Sequence, residues 1–451
     1  GMQADPTSPA FQSTCSAMIR DVLADFDASV IHLGGDETWQ LGHGTASAAR
    51  VSAYESGEME PPYLLEEGEQ VDGKAALYAA HLLPLLQQVI QAGRVPALWG
   101  DMFYDHPQAL RAIPPETILF DWQYFRSPEV TAERFRRAGF RTVLCPAIQT
   151  YSAAWCHLPQ SERNIREAAE AAVRRDDYGV CVTTWECGLF GNYESLIPAI
   201  RASGRLVAQA MEETAPNSAE PIVGELPVGL GGEDAVEAYR QETDAPVMLH
   251  EYLRQGENVE EWARLMGCEL QSAGDIFAYS GHRSQLKCRL LLYSNPFLLW
   301  LRHRDALLAD AGNKAYDIAS RAIHFAPDSG YRGVSEFVKL VIEFVRHADQ
   351  AAKHYAEQNL GNCQTELAVT RQILDALERI AQANLARFGG SRADIERARI
   401  AREHVEKVMQ RVKRYGDGSL GYRPSFESLT HPKFVPHDQA NWWLINRWGN
   451  E

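Results

Sequence analysis

The stretch "VIHLGGDETWQLG", Val30 to Gly42, runs a short apolar segment into two glycines and then two adjacent carboxylates, Asp36 and Glu37. An apolar, β-branched run that empties into Gly-Gly reads as a strand reaching its carboxyl end and turning sharply. Four similar runs follow it, making five in all. They are "SVIHLG" (29–34), "RVPALWG" (94–100), "TILFDW" (117–122), "RTVLCP" (141–146) and "GVCVTTW" (179–185). Between them lie helical patterns such as "GKAALYAAHLLPLLQQVIQAG" (73–93) and "SERNIREAAEAAVRR" (161–175). Continuous apolar strands spaced by helices imply parallel pairing with both faces covered, hence an α/β sheet or barrel.

Beyond these strands the pattern changes. "TAPNSAEPIVGELPVGLGGEDA" (214–235) is rich in Pro, Gly and Glu and reads as a linker or crossing segment. Helix periodicity then dominates: in "SEFVKLVIEFVRHADQAAKHYAE", Phe337, Leu340, Val341, Phe344, Val345 and Ala348 fall on one stripe. Two more helices are predicted, at "CQTELAVTRQILDALERIAQANLARF", stopped by Gly389 and Gly390, and at "RADIERARIAREHVEKVMQRVKRY". The expected domains are an α/β part over 1–205, a linker over 206–249, an α-helical domain over 250–418 and an aromatic tail over 419–451. Trp442, Trp443 and Trp448 in that tail are expected to dock on a neighbouring surface.

Lys and Arg number 44 against 60 Asp and Glu, a net charge of −16, which disfavours nucleic-acid and anionic-membrane surfaces. The 8 cysteines form no CxxC pair and no zinc-like spacing, so neither a disulfide framework nor a structural metal is expected, and a reducing, cytoplasmic setting is the default. No cofactor is called for.

In parallel α/β structures function gathers at the carboxyl ends of the strands. Asp36 and Glu37 follow the first run, Trp99 and Asp101 the second, Trp122 and Tyr124 the third, Tyr151 and Trp155 lie beyond the fourth, and Trp185 and Glu186 end the fifth. Indoles stack on the apolar C–H faces of sugars while carboxylates accept from their hydroxyls, so this recurrence points to a sugar site. Trp155 alone reads as core packing. Adjacent acids project to different sides of an extended chain, which implies two separate tasks for Asp36 and Glu37. A glycosidase needs such a division: one proton donor for the leaving oxygen and one group that supports the positive anomeric carbon.

"HLGGDE" resembles the His-x-Gly-Gly-Asp-Glu signature of glycoside hydrolase family 20, the β-N-acetylhexosaminidases. "ADPTSPAFQSTCSAMIRDVLADF" is similar to the family's helix before the fourth barrel strand, "ALWGDMF" to its fifth strand and "GVCVTTWECG" to the Thr-x-Trp segment of its eighth. The resemblance spans roughly residues 3–200. It implies a (β/α)8 TIM-barrel-type catalytic domain and retaining, substrate-assisted hydrolysis of terminal β-linked GlcNAc or GalNAc through an oxazolinium intermediate. Glu37 would be the general acid and base, and Asp36 would orient the substrate's 2-acetamido group. Trp99, Trp122 and Trp185 would wall the acetamido pocket, Tyr124 or Tyr151 could donate to its oxygen, Asp101 or Glu186 could accept from sugar hydroxyls, and His32 would be a supporting residue.

Departures accompany the resemblance. Barrel strands one to three and their sugar-gripping Arg have no counterpart here, and Trp185-Glu186-Cys187 differs from the family's usual eighth-strand ending. Five strands do not close an eight-stranded barrel, so an alternative expectation is a non-catalytic carbohydrate-binding or interaction protein, with self-association covering the open edge. The expected partner is an N-acetylhexosamine-containing glycan.

Overall fold

A computed structural model describes residues 3–150, 154–175, 177–185, 193–214, 259–273, 288–292, 294–388 and 392–434. Contacts divide the chain into two compact units. One comprises Gly1–Ala147, Arg163–Thr183 and Leu206–Ala245, and the other Ile148–Glu162, Thr184–Arg205 and Pro246–Glu451.

The first unit is built on five parallel strands: β1 (Val30–His32), β2 (Val95–Trp99), β3 (Ile118–Trp122), β4 (Arg141–Cys145) and β5 (Gly179–Val180). They lie side by side in chain order, β1-β2-β3-β4-β5. Parallel crossovers are right-handed almost without exception, so consecutive order sends every connection to the same face of the sheet, as in a barrel wall.

The helices of this unit begin with α1 (Pro9–Asp25), α2 (Thr45–Glu55) and α3 (Gly73–Gln91). After β2 come the short α4 (Met102–Asp105) and, after β3, α5 (Glu129–Arg137). Capping fixes where they start: Ser8 accepts from Phe11 N–H at the head of α1, and Asp72 accepts from Lys74 and Ala75 N–H at the head of α3. α3 buries Leu77, Tyr78, Leu82 and Leu86 in a cluster with Leu98 of β2 and Leu119 of β3. Its Leu85 and Val89 join Ile19 of α1 and Ile31 of β1.

Because side chains alternate along a strand, the remaining positions form the opposite face. Ala97, Ile118, Val143 and Cys145 make a cluster there, flanked by Val30, Val95, Trp99, Phe120 and Trp122, and every member is a strand residue. The registers Trp99↔Phe120 and Trp122↔Cys145 bring the aromatics of that face to one end, the carboxyl end of the sheet.

α6 (Leu158–Arg175) and α7 (Tyr193–Glu213) follow β4 and β5. α7 is continuous through Glu213, with Leu206 and Ala210 buried, so residues 206–213 are helix rather than the expected start of a linker. The Pro-, Gly- and Glu-rich stretch comes after it, and residues 215–249 lie outside the described residues.

The second unit is helical. Its long elements are α8 (Phe297–Leu308), α9 (Asp310–Phe325), α10 (Ser329–Ala356), α11 (Leu360–Phe388) and α12 (Ala393–Tyr415), followed by the short α13 (Phe426–Thr430). Phe337, Val341, Phe344, Val345 and Ala348 of the α10 stripe are fully buried, as the 3.6-residue period predicts. Phe426 of α13 packs its ring against Phe297, Trp300 and Tyr355, so the chain as far as Phe434 belongs to this unit and not to a separate tail. Trp442, Trp443 and Trp448 lie outside the described residues. Trp155 is fully buried 4.6 Å from Trp262, a core residue as expected.

Candidate active site

The site begins where β1 stops. Pairing with β2 persists beyond the strand, since Leu33 N–H donates to Ala97 O and Trp99 N–H to Gly34 O. The chain then turns through Gly34 at φ 78° and Gly35 at φ 93°, a left-handed region that glycine enters without a Cβ penalty. At Gly35 the requirement is doubled: the Tyr78 hydroxyl of α3 donates to its carbonyl at 2.8 Å, and a Cβ there would sit 2.8 Å from that same hydroxyl oxygen.

Glu37 also adopts a left-handed backbone, φ 51°. A non-glycine residue there costs on the order of 1–3 kcal/mol and persists only when its surroundings fix it. Its N–H donates to Asp101 Oδ2 at 2.8 Å. The turn leaves Asp36 half-buried and Glu37 exposed, so the two acids stand in different surroundings as their adjacency predicted.

Asp101 follows β2 and is only 7% exposed. Burial, reinforced by the Asp36 charge, pushes its carboxyl up to about 7 against the pull of the hydrogen bond from the Glu37 N–H. Tyr78 is driven well above its ordinary value by burial and then by Asp101 and Asp36. Two carboxylates and a phenol therefore converge under the turn.

The apolar side of the site comes from the strand face opposite the helices. The His32 ring lies 4.6 Å from Trp99 and 4.7 Å from Phe120, and burial lowers its pKa to about 4, which keeps it neutral near pH 7. Its Nδ1 accepts from Gly34 N–H at 3.1 Å, so His32 helps shape the turn. The Trp122 and Tyr124 rings stack at 5.2 Å, and Thr183 donates to the Tyr124 hydroxyl at 3.4 Å.

Behind β3 lies a polar network that the sequence reading missed. Asp121 is fully buried and accepts from Tyr104, from Gln123 at 3.1 Å and from Thr131 at 2.6 Å. Asn164 of α6 in turn donates to Gln123 O at 2.6 Å and accepts from Ala147 N–H at 2.8 Å, tying the ends of β3 and β4 together. One signal was present: an acid inside an otherwise apolar strand, directly before Trp122. Tyr78 gave none, since it sits in the apolar stripe of α3. Trp39, 59% exposed two residues past Glu37, was also passed over as a surface for substrate.

The structure thus brings together Asp36, Glu37, Asp101, Trp122 and Tyr78, with Trp99 and His32 packed beside one another on the adjoining strand face. Trp185 is 47% exposed and belongs to the second unit. Tyr151 and Glu186 lie outside the described residues. Among the described residues no group of three or more His, Cys, Asp or Glu could hold a metal ion, and no helix is long and apolar enough to cross a membrane.

The carboxylate pair on its strained turn and the indoles of the neighbouring strands stand at the carboxyl ends of a parallel α/β sheet, where such folds gather their sites. The model of the glycosyl hydrolase family 20 catalytic domain matches residues 1–184 of the chain. No curated protein matches the chain.

Proposed function

We propose that the domain removes terminal β-linked N-acetylhexosamine from glycans with retention of configuration, the substrate's own acetamido oxygen acting as nucleophile. The five strands then correspond to the fourth to eighth of a (β/α)8 barrel, whose interior would be the face carrying Trp99, Phe120 and Trp122. Exposed Glu37 donates a proton to the leaving oxygen and later takes one from water. Half-buried Asp36 holds the acetamido N–H, aligns its carbonyl oxygen on the anomeric carbon and supports the oxazolinium charge. Trp99 and Trp122 wall the acetamido pocket, and Tyr124 donates to its oxygen.

The observation that carries this reading is the turn itself, in which a left-handed Glu37 parts two adjacent acids into different environments. That separation is what a mechanism with one proton carrier and one partner that orients the acetamido group requires. The test is release of p-nitrophenol from aryl β-N-acetylhexosaminides by the full chain, with Glu37→Gln as control. Turnover lost in that variant supports the assignment. A folded protein that neither turns over the substrate nor binds an N-acetylglucosamine thiazoline refutes it, and thiazoline binding without turnover would leave a carbohydrate-binding protein.

A further inference from the structure

Asp101 Oδ2 accepts from the Glu37 N–H at 2.8 Å. Since β1 and β2 are adjacent, a side chain after β2 thus holds the turn after β1. The linking residue is itself held firmly. Gly100, just before it, is pressed on the Phe135 ring so closely that a Cβ would approach within 2.8 Å, and Met102, Phe103 and Tyr104, just after it, are buried.

A carboxylate suits this position better than an amide. The Glu37 N–H is a donor, and either oxygen of a carboxylate can accept it, whereas asparagine can turn an N–H toward it. The other titratable groups facing Asp101 are Asp36 and Glu37 of the turn and Tyr78 of α3. Tyr78 does not compete for the carboxylate, because its hydroxyl donates to Gly35 O.

We infer that Asp101 is a positioning residue: by holding the Glu37 N–H, it sets the reach of the proton donor over the sugar pocket. This rests on Glu37 being the proton donor. In this role Asp101 does not touch the sugar, and it replaces the hydroxyl-acceptor role that its place in the sequence suggested.

The test compares wild type, Asp101→Asn and Asp101→Ala on two aryl β-N-acetylglucosaminides, one with an acidic dinitrophenol leaving group and one with a weakly acidic methoxyphenol. A displaced acid harms only the substrate that needs protonation. Asp101→Ala is therefore expected to lower kcat about 100-fold on the methoxyphenyl glycoside and less than about 5-fold on the dinitrophenyl one, with KM nearly constant and Asp101→Asn intermediate. Equal losses on both substrates, or none, overturn the inference. Hydrogen exchange supplies a readout independent of turnover: amides in segment 33–39 should exchange at least about 10-fold faster in Asp101→Ala, with the helical unit unchanged. Unchanged protection there also overturns it. Should wild type hydrolyse neither glycoside while segment 33–39 loosens in the variant, the hydrolase reading fails and the brace stands.

Discussion

The turn after β1 and helix α10 satisfy their backbones in opposite ways. α10 closes its own N–H and C=O groups over 28 residues, and only its ends need help, Asp328 accepting from Gly330 and Tyr331 N–H at the head. The turn has no repeating ladder and relies on side chains far away in sequence, Tyr78 for Gly35 O and Asp101 for Glu37 N–H, separated by 43 and 64 residues. One element draws stability from a stripe of Phe and Val, the other spends it on three left-handed residues in four. Substitutions in the two should therefore separate activity from stability, which is the usual relation between a strained site and its supporting core.

The sharpest way to break that contrast is to change both elements and look for crossover. Glu37→Gln should lower kcat by about 10³-fold or more while the unfolding midpoint stays within a few degrees. A comparable loss of stability would mean that the turn is structural after all. Phe344→Ala, in the fully buried stripe of α10, should cost about 3–4 kcal/mol in urea unfolding and leave kcat per folded molecule unchanged. Tyr78→Phe removes the donor to Gly35 O and should cost about 1–2 kcal/mol, with a fall in kcat of about 10-fold from a loosened turn.

A smaller effect appears with pH. The folded-state pKa of Asp101 is raised from 3.8 to about 7, so the folded protein holds a proton there that the unfolded chain has released. That contribution is fully present below pH 3.8 and is lost as pH rises through 7. Asp177 behaves alike, raised to about 6 mainly by burial, so the assignment requires a difference measurement. The stability of wild type relative to Asp101→Asn should fall by on the order of 1–3 kcal/mol between pH 4 and 7, and a flat difference would show that the carboxyl is not desolvated as described.

Much of the sheet could be read from the chain because strands covered on both faces are continuous apolar runs. "RVPALWG", "TILFDW" and "RTVLCP" became Val95–Trp99, Ile118–Trp122 and Arg141–Cys145, each within a residue or so at the ends. The fifth run shortened from 179–185 to Gly179–Val180, since its polar second half keeps only a bridge between Ala147 and Thr183. At the site, the acid pair was visible through local chemistry: an apolar run, glycines, then charge. What holds the pair was not visible. Nothing in "YAAHLL" marks Tyr78 as the donor to a glycine carbonyl, and nothing in "ALWGDMF" marks Asp101 as the acceptor of the Glu37 N–H. Only tertiary placement distinguishes an acid that meets substrate from one turned inward to a neighbouring peptide.

The consecutive order of the strands has a metric consequence. β1 and β3 are separated by one other strand, and hydrogen-bonded strands keep a spacing of about 4.8 Å, so the strand ends from which the turn and Trp122 depart stand about 10 Å apart across the sheet. Side-chain substitution can reline the space between those strand ends, but their spacing is written in peptide geometry.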